Sequence, residues 1–218
     1  MAIKVNQSEI PGTVIEAKRW WRRKVREALR GTTEDYRRSA SDAITAAFLG
    51  MEEYRAAGTV LAYCSTGMEV GTAAMLEAVL ADGKRLCLPK CTDIGEDGKR
   101  KGGEPSMEAR QVTDLSLLES GAYGIPEPPD SPDFPVIEPQ EIDLILLPCM
   151  TCDPDCRRLG HGGGYYDKFL SMIREDCATI AICYEAVLAD QRPTEPHDMP
   201  VDAAVTEETV YRWRPQEF

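Results

Sequence analysis

The chain has 218 residues, of which 43% are hydrophobic and 28% charged, and its 25 Lys+Arg against 37 Asp+Glu give a formal net charge of −12. Such a length suits one domain, 1–218, that buries about two-thirds of its unfolded surface without metal or disulfide staples. The acidic total argues against nucleic acid as a partner. The absence of an apolar run near the roughly 18 residues that span a bilayer, or of a signal-peptide core, points to a cytoplasmic chain with no membrane partner.

Residues 1–12 form a polar start with no periodic pattern, free to be flexible. "TVIEAKRWWRRKVREALR" (13–30) then predicts a helix closed by Gly31, with Trp21, Val25, Ala28 and Leu29 on one apolar stripe. A second helix is expected from Thr32 or Thr33, with Asp35 in its first turn, towards Arg55, and Gly58 ends the pattern. "TVLAYC" (59–64), "TAAMLEAVLADG" (72–83) and "RLCLP" (85–89) read as strand, helix and strand, the unit of a parallel α/β sheet. Residues 92–105 are Gly-rich and charged, which predicts a mobile loop or a hairpin tip. "MEARQV" (107–112) reads as a strand. The prolines of 124–139 forbid helix and central strand, leaving a long surface path over 126–140. "IDLILLP" (142–148) resumes the sheet. "YYDKFLSMIRE" (165–175) reads as helix, "ATIAICY" (178–184) as strand and "VDAAVTE" (201–207) as a final strand. The sum is one α/β domain of three layers, α/β/α, around a mostly parallel open sheet, with an N-terminal helical pair.

Ligands of such sheets bind beyond the carboxyl ends of the strands. There lies Arg157-Arg158-Leu159-Gly160-His161-Gly162-Gly163-Gly164-Tyr165-Tyr166-Asp167, leading into a helix. Glycines let backbone N–H groups approach an anion, a helix N-terminus adds donors, and an arginine adds full charge. Physically this is a phosphate cradle or, more plainly, a Gly-rich turn joining strand to helix. Lys18, Arg22 and Arg26 step by four residues and share a face of the first helix, which suits either an anion or a solvated surface. Asp167 and Asp202 are carboxylates of the kind that hold nucleotide-bound Mg²⁺, and equally of the kind that cap turns. Two histidines, His161 and His197, and no G-x-S-x-G leave no support for a nucleophilic triad. Of the eight cysteines, Cys149, Cys152 and Cys156 have the spacing of a metal knuckle or are small loop residues.

The run "RLGHGGGYYD" resembles the signature of the 5-formyltetrahydrofolate cyclo-ligase (5,10-methenyltetrahydrofolate synthetase) family. Lys18-x-x-x-Arg22, "ASDAI" (40–44), "GMEVGT" (67–72), "YGIPEP" (123–128), "DLILLP" (143–148) and "PHDMPVDAAVTE" (196–207) follow the family in order and spacing. The resemblance implies an ATP- and Mg²⁺-dependent ring closure: the formyl oxygen of 5-formyltetrahydrofolate attacks the γ-phosphate, N10 captures the iminium phosphate, and phosphate leaves. It implies that Lys18, Arg22, Arg158, His161 and the backbone of Gly160, Gly162, Gly163 and Gly164 bind ATP, and that Asp167 and Asp202 hold Mg²⁺. Glu69, the main chain near Cys64, Tyr123 and the 162–165 segment would contact the folate, with or without a polyglutamate tail. Arg158, Tyr165 and Tyr166 would serve catalysis, the two tyrosines lying between nucleotide and folate. A monomer or weak homodimer is expected.

Three departures stand beside the resemblance. "CMTCDPDCR" (149–157) replaces an apolar, Gly-containing turn, Ala186 stands where Gln is common, and Gly163 stands where some relatives have Lys. The competing readings are a sister protein with another substrate or a regulatory role, an RNA-binding module on the basic helix, and a thiolate metal protein. Glu69 and Tyr123 favour the enzyme over the first, and the acidic total and scarce aromatics count against RNA.

Overall fold

Thr13 and Gly31 bracket α1 (Val14–Arg30), Thr13 Oγ1 accepting from Glu16 N, and the buried face carries Ala17, Trp20, Trp21, Val25 and Leu29. The computed structural model describes residues 3, 5, 9–95, 100–189 and 198–214. Within 1–12, Ile3 N donates to Leu188 O at 2.9 Å, and most of that stretch lies outside the described residues. The second helix is capped by Thr33 as expected but is two helices, α2 (Glu34–Leu49) and α3 (Glu52–Ala56). The break falls at Gly50, whose amide folds back onto the last carbonyls of α2.

Twelve strands follow in the described residues. β1 (Thr59–Leu61) leads through α4 (Ala73–Ala81) to β2 (Arg85–Cys91), and β2 pairs antiparallel with β3 (Met107–Val112) across the 92–105 connection, which is therefore a hairpin end. β4 (Glu119–Ser120) and β5 (Pro126–Glu127) form a small ladder around Tyr123, and β6 (Val136–Ile137) adds an antiparallel edge to β3. β7 (Leu144–Pro148) returns to the centre. A hairpin of β8 (Thr151–Cys152) and β9 (Arg158–Leu159) then precedes α5 (Tyr165–Leu170), β10 (Ala178–Ile182), β11 (Ala203–Val205) and antiparallel β12 (Val210–Arg212).

The main sheet runs β12-β11-β10-β7-β1-β2-β3-β6, and the five strands from β11 to β2 are parallel. Their near-continuous apolar runs fit strands covered on both faces: Leu144 to Leu147, Ile180 and Ala203 are fully buried. The chain leaves β1 towards β2 and later leaves β7 towards β10, in opposite directions along the sheet. Right-handed crossovers therefore set α4 and α5 on opposite faces, as a three-layer fold requires. The crevice between the carboxyl ends of β1 and β7 is the switch point where ligands of such sheets lie. Among the described residues, no helix is long and apolar enough to cross a membrane.

At the opposite, amino edge, Asp143 ties the strands together. Its Oδ2 accepts from Gly58 N (2.8 Å) and Thr59 N (2.7 Å), and its Oδ1 from Arg174 (2.5 Å). Burial would raise its pKa, but Arg174 and the two amides outweigh burial and hold the carboxyl below the usual range. A depressed folded pKa means the stabilisation is complete at neutral pH and fades as pH falls below about 4. Asp143→Ala is expected to lower unfolding free energy by about 2 kcal/mol at pH 7 and by much less near pH 3, measured by urea titration at both pH values.

Candidate active site

Two loops close on the switch-point crevice, residues 62–72 after β1 and 149–164 after β7. α1 reaches the second loop by its indoles: Trp20 and Trp21 pack edge to face (centroids 5.5 Å apart) in a cluster with Leu159 of β9. This anchoring turns Arg22 onto the glycine loop, with Lys18 one turn earlier on the same face of α1. Arg22 Nε donates to Gly160 O at 2.9 Å. Gly162 has φ +100°, and a Cβ there would lie 3.0 Å from the Arg22 guanidinium carbon, so glycine is needed for conformation and for close approach. None of the amides of 160–164 donates to an acceptor among the described residues, which leaves a curve of free donors beside two cations.

Arg158 lies at the centre, with only 8% of its side chain exposed. Its Nη2 donates to Asp167 Oδ1 at 2.5 Å, and the Asp167 side chain is 69% exposed. Lys18 Nζ pairs with Asp198, 2.7 Å from Oδ2. Burial, Arg26 and Arg19 lower the Arg22 pKa, while Asp167 and Asp198 act on it in the opposite sense, so both carboxylates face that guanidinium. α5 has six residues, shorter than the 165–175 expected, so loop amides and cations rather than a helix dipole carry the attraction for an anion.

Across the crevice, His161 Nε2 lies 2.8 Å from Glu69 Oε1, and Glu69 Oε2 accepts from Thr66 N at 2.7 Å. Thr72 and Ser65 clasp this loop reciprocally: Ser65 N donates to Thr72 Oγ1, Thr72 N to Ser65 Oγ, and Thr72 Oγ1 to Tyr63 O. The clasp fixes the main chain on either side of the half-buried Cys64. Farther along, Tyr165 OH donates to Asp93 Oδ2 at 3.2 Å, and Arg100 Nε bonds the same oxygen at 2.7 Å. Burial, with hydrogen bonds to Tyr123 and Asp93, pushes the Tyr165 phenol far above its usual pKa. Tyr123 itself is exposed and left-handed, φ 58°. The Tyr166 hydroxyl is buried with no partner among the described residues, although Arg158, Glu69, Cys91 and Cys64 surround it. A buried hydroxyl in a charged crevice is met by water or by a ligand.

The family model described as the 5-formyltetrahydrofolate cyclo-ligase family matches residues 14–207. The chain belongs to that family. A cyclo-ligase from Mycolicibacterium smegmatis is 32% identical over 148 residues, 68% of this chain and 73% of its own length. The mouse cyclo-ligase is 24% identical over 90% of this chain and 97% of its own. The solution structure of 5,10-methenyltetrahydrofolate synthetase from Aquifex aeolicus superposes with TM-score 0.74 at 29% identity, covering 92% of this chain and 95% of that one.

Within this cyclo-ligase fold the sequence-derived residues sort clearly. Lys18, Arg22, Arg158, Gly160 to Gly164, Tyr165, Tyr166 and Asp167 gather on one side of the crevice, and Glu69 meets them through His161. Asp202 does not join them. It sits at the amino edge of the sheet, its Oδ2 accepting from Thr179 N and Oγ1, both at 2.7 Å. Asp198, four residues earlier, stands beside Lys18 instead. Four extended residues span about 13 Å, enough to cross from one edge of a short strand to the other. His197 lies outside the described residues. Sequence reasoning also missed Ser41, Tyr184, Asp93 and Arg100. Ser41, in "ASDAI", accepts from Gly71 N at 2.9 Å and bonds Tyr184 OH, which donates to Glu69 O. That motif therefore props the Glu69 loop.

Proposed function

We propose that the chain converts 5-formyltetrahydrofolate to 5,10-methenyltetrahydrofolate at the expense of ATP, releasing ADP and phosphate. The observation that carries this reading is the convergence of Arg22, Arg158 and the free amides of 160–164 on one wall, which also holds the orphan Tyr166 hydroxyl, with Glu69 across from it. Phosphoryl transfer demands positioned charge more than a reactive side chain, and no nucleophilic triad is needed.

The phosphates of ATP lie along the glycine loop under Arg158, Arg22 and Lys18. Folate enters over Tyr123 and Tyr165, with Glu69 and the main chain at Cys64 receiving the pterin. The formyl oxygen attacks the γ-phosphorus, the bond to ADP breaks, and the formyl carbon becomes an iminium phosphate. N10 then adds to that carbon, the carbon–oxygen bond to phosphate breaks, and the N10 proton passes to solvent. Arg158 neutralises charge on the transferring oxygens. Tyr165 and Tyr166, both held as phenols by burial, donate hydrogen bonds rather than act as bases.

Mg²⁺ would offset phosphate charge in this reaction, and the oxygen donors of Asp167 and Asp198 suit a hard cation that takes one or two carboxylates plus phosphate. Asp202, bonded to Thr179 at the amino edge of the sheet, lies away from the glycine loop and its cations. All these residues come from one chain, which supports activity as a monomer or weak homodimer. Eight free thiols and a need for ATP favour a cytoplasmic setting.

Labelling the formyl oxygen with ¹⁸O tests the route. The label is expected in the released phosphate. Unlabelled phosphate would mean that water, not the formyl group, takes the phosphoryl group.

A further inference from the structure

The three sulfurs of Cys149, Cys152 and Cys183 all lie within 4.8 Å of one another, and the Sγ atoms of Cys152 and Cys183 are 3.1 Å apart. The trio follows from sheet register. Ile182 of β10 pairs with Pro148 of β7, so the next residues, Cys183 and Cys149, leave the carboxyl ends side by side. Cys152, on β8, turns back over them. Cys152 and Cys183 are 0% and 2% exposed, and Cys149, at 9%, shares with Cys183 the wall of a cavity of about 190 Å³ that also meets Glu69, His161, Arg26 and Tyr184. The folate and phosphate reading gives these sulfurs no task.

We propose that Cys149, Cys152 and Cys183 form a zinc site whose fourth coordination position opens into this cavity. Three protein ligands with a solvent in the fourth position is an established zinc geometry. A tetrahedral site with Zn–S near 2.3 Å sets sulfurs about 3.8 Å apart, against 3.1 Å for Cys152 and Cys183 and no more than 4.8 Å across the trio. The Cys152–Cys183 pair opens by about 0.7 Å to reach that spacing, a distance that side-chain rotation supplies. Charge selects the divalent ion: three thiolates leave −1 around Zn²⁺ and −2 around Cu⁺, in a buried place beside the guanidinium groups of Arg158 and Arg26. Each thiol gives its proton to solvent as the bond to zinc forms. Cys156 lies outside the trio, and its carbonyl accepts from Val201 N. The metal knuckle read from spacing thus exchanges Cys156 for Cys183. The inference is independent of the folate reading and is measured without substrates.

The full chain, reduced and stripped with a chelator under anaerobic conditions, is offered zinc chloride and passed through a desalting column. One zinc per chain is expected to remain. Cys183→Ala and Cys152→Ala are each expected to weaken zinc affinity by more than the 10–100-fold that loss of a mere hydrogen-bond partner of a ligand costs, while Cys156→Ala leaves it unchanged. Because substitutions in the core can disturb folding, cobalt in the wild-type chain supplies a second reading, with a sulfur-to-cobalt charge-transfer band of three-thiolate intensity and four-coordinate ligand-field bands. No zinc retained by the reduced wild-type chain would overturn the proposal. So would unchanged affinity in folded Cys183→Ala, retention of Cu⁺ alone, or a Cys152–Cys183 disulfide that forms in place of metal uptake.

Discussion

Arg158→Ala is expected to lower turnover by about 10²–10³-fold, with the melting temperature within a few degrees of wild type. The size follows from removing one preorganised donor where charge develops, which costs about 2.7–4 kcal/mol of transition-state stabilisation. Arg158 qualifies because its guanidinium is almost wholly withdrawn from water while facing the free amides of the glycine loop. Stability is spared because its partner Asp167 is mostly exposed, and an ion pair with one solvated member contributes about 0–1 kcal/mol. Arg158→Lys keeps the charge and loses the planar fork, so partial recovery of kcat is expected. Steady-state kinetics together with thermal melts separate the effects. A variant with near-normal kcat would remove Arg158 from the chemistry.

The second large contrast concerns two aspartates four residues apart. Asp198→Asn is expected to cut kcat/KM by about 10–100-fold, or about 1.4–2.7 kcal/mol, and to raise the Mg²⁺ concentration for half-maximal rate. Asp202→Asn is expected to keep turnover within about twofold while losing about 1 kcal/mol of stability through its bonds to Thr179. The assignment rests on position. Asp198 pairs with Lys18 and acts on the Arg22 guanidinium, whereas Asp202 caps the amino ends of β10 and β11. Mg²⁺ titrations of both variants decide between them, and a normal Mg²⁺ response in Asp198→Asn would return the metal to other carboxylates.

Most of the framework was legible because it is local. α1 announces itself by a capping threonine, a helical apolar stripe and a closing glycine, and β1, β2, β7 and β10 by short runs buried on both faces. The glycine loop and its arginine were legible because backbone approach to an anion leaves a compositional trace. What escaped was long-range. Gly50 sits within an otherwise continuous pattern, from Phe48 to Tyr54, and only packing of α3 against α2 shows the chain breaking there. β8 and β9 are two residues each, too short for any period. Spacing chose Cys156 as the third thiol because it is near in sequence, while strand pairing brings Cys183 from 31 residues beyond Cys152. Asp198 and Asp202 share one motif string, and no string says which end of a strand a residue occupies. Ser41 was visible within a motif but silent as to purpose, since its task is to accept from Gly71 N, thirty residues on.

Purified chain mixed with Mg-ATP and 5-formyltetrahydrofolate is expected to produce the near-ultraviolet absorbance of the conjugated methenyl product, in proportion to enzyme and only when ATP is present. Folded chain that yields no ATP-dependent absorbance under these conditions would contradict the account.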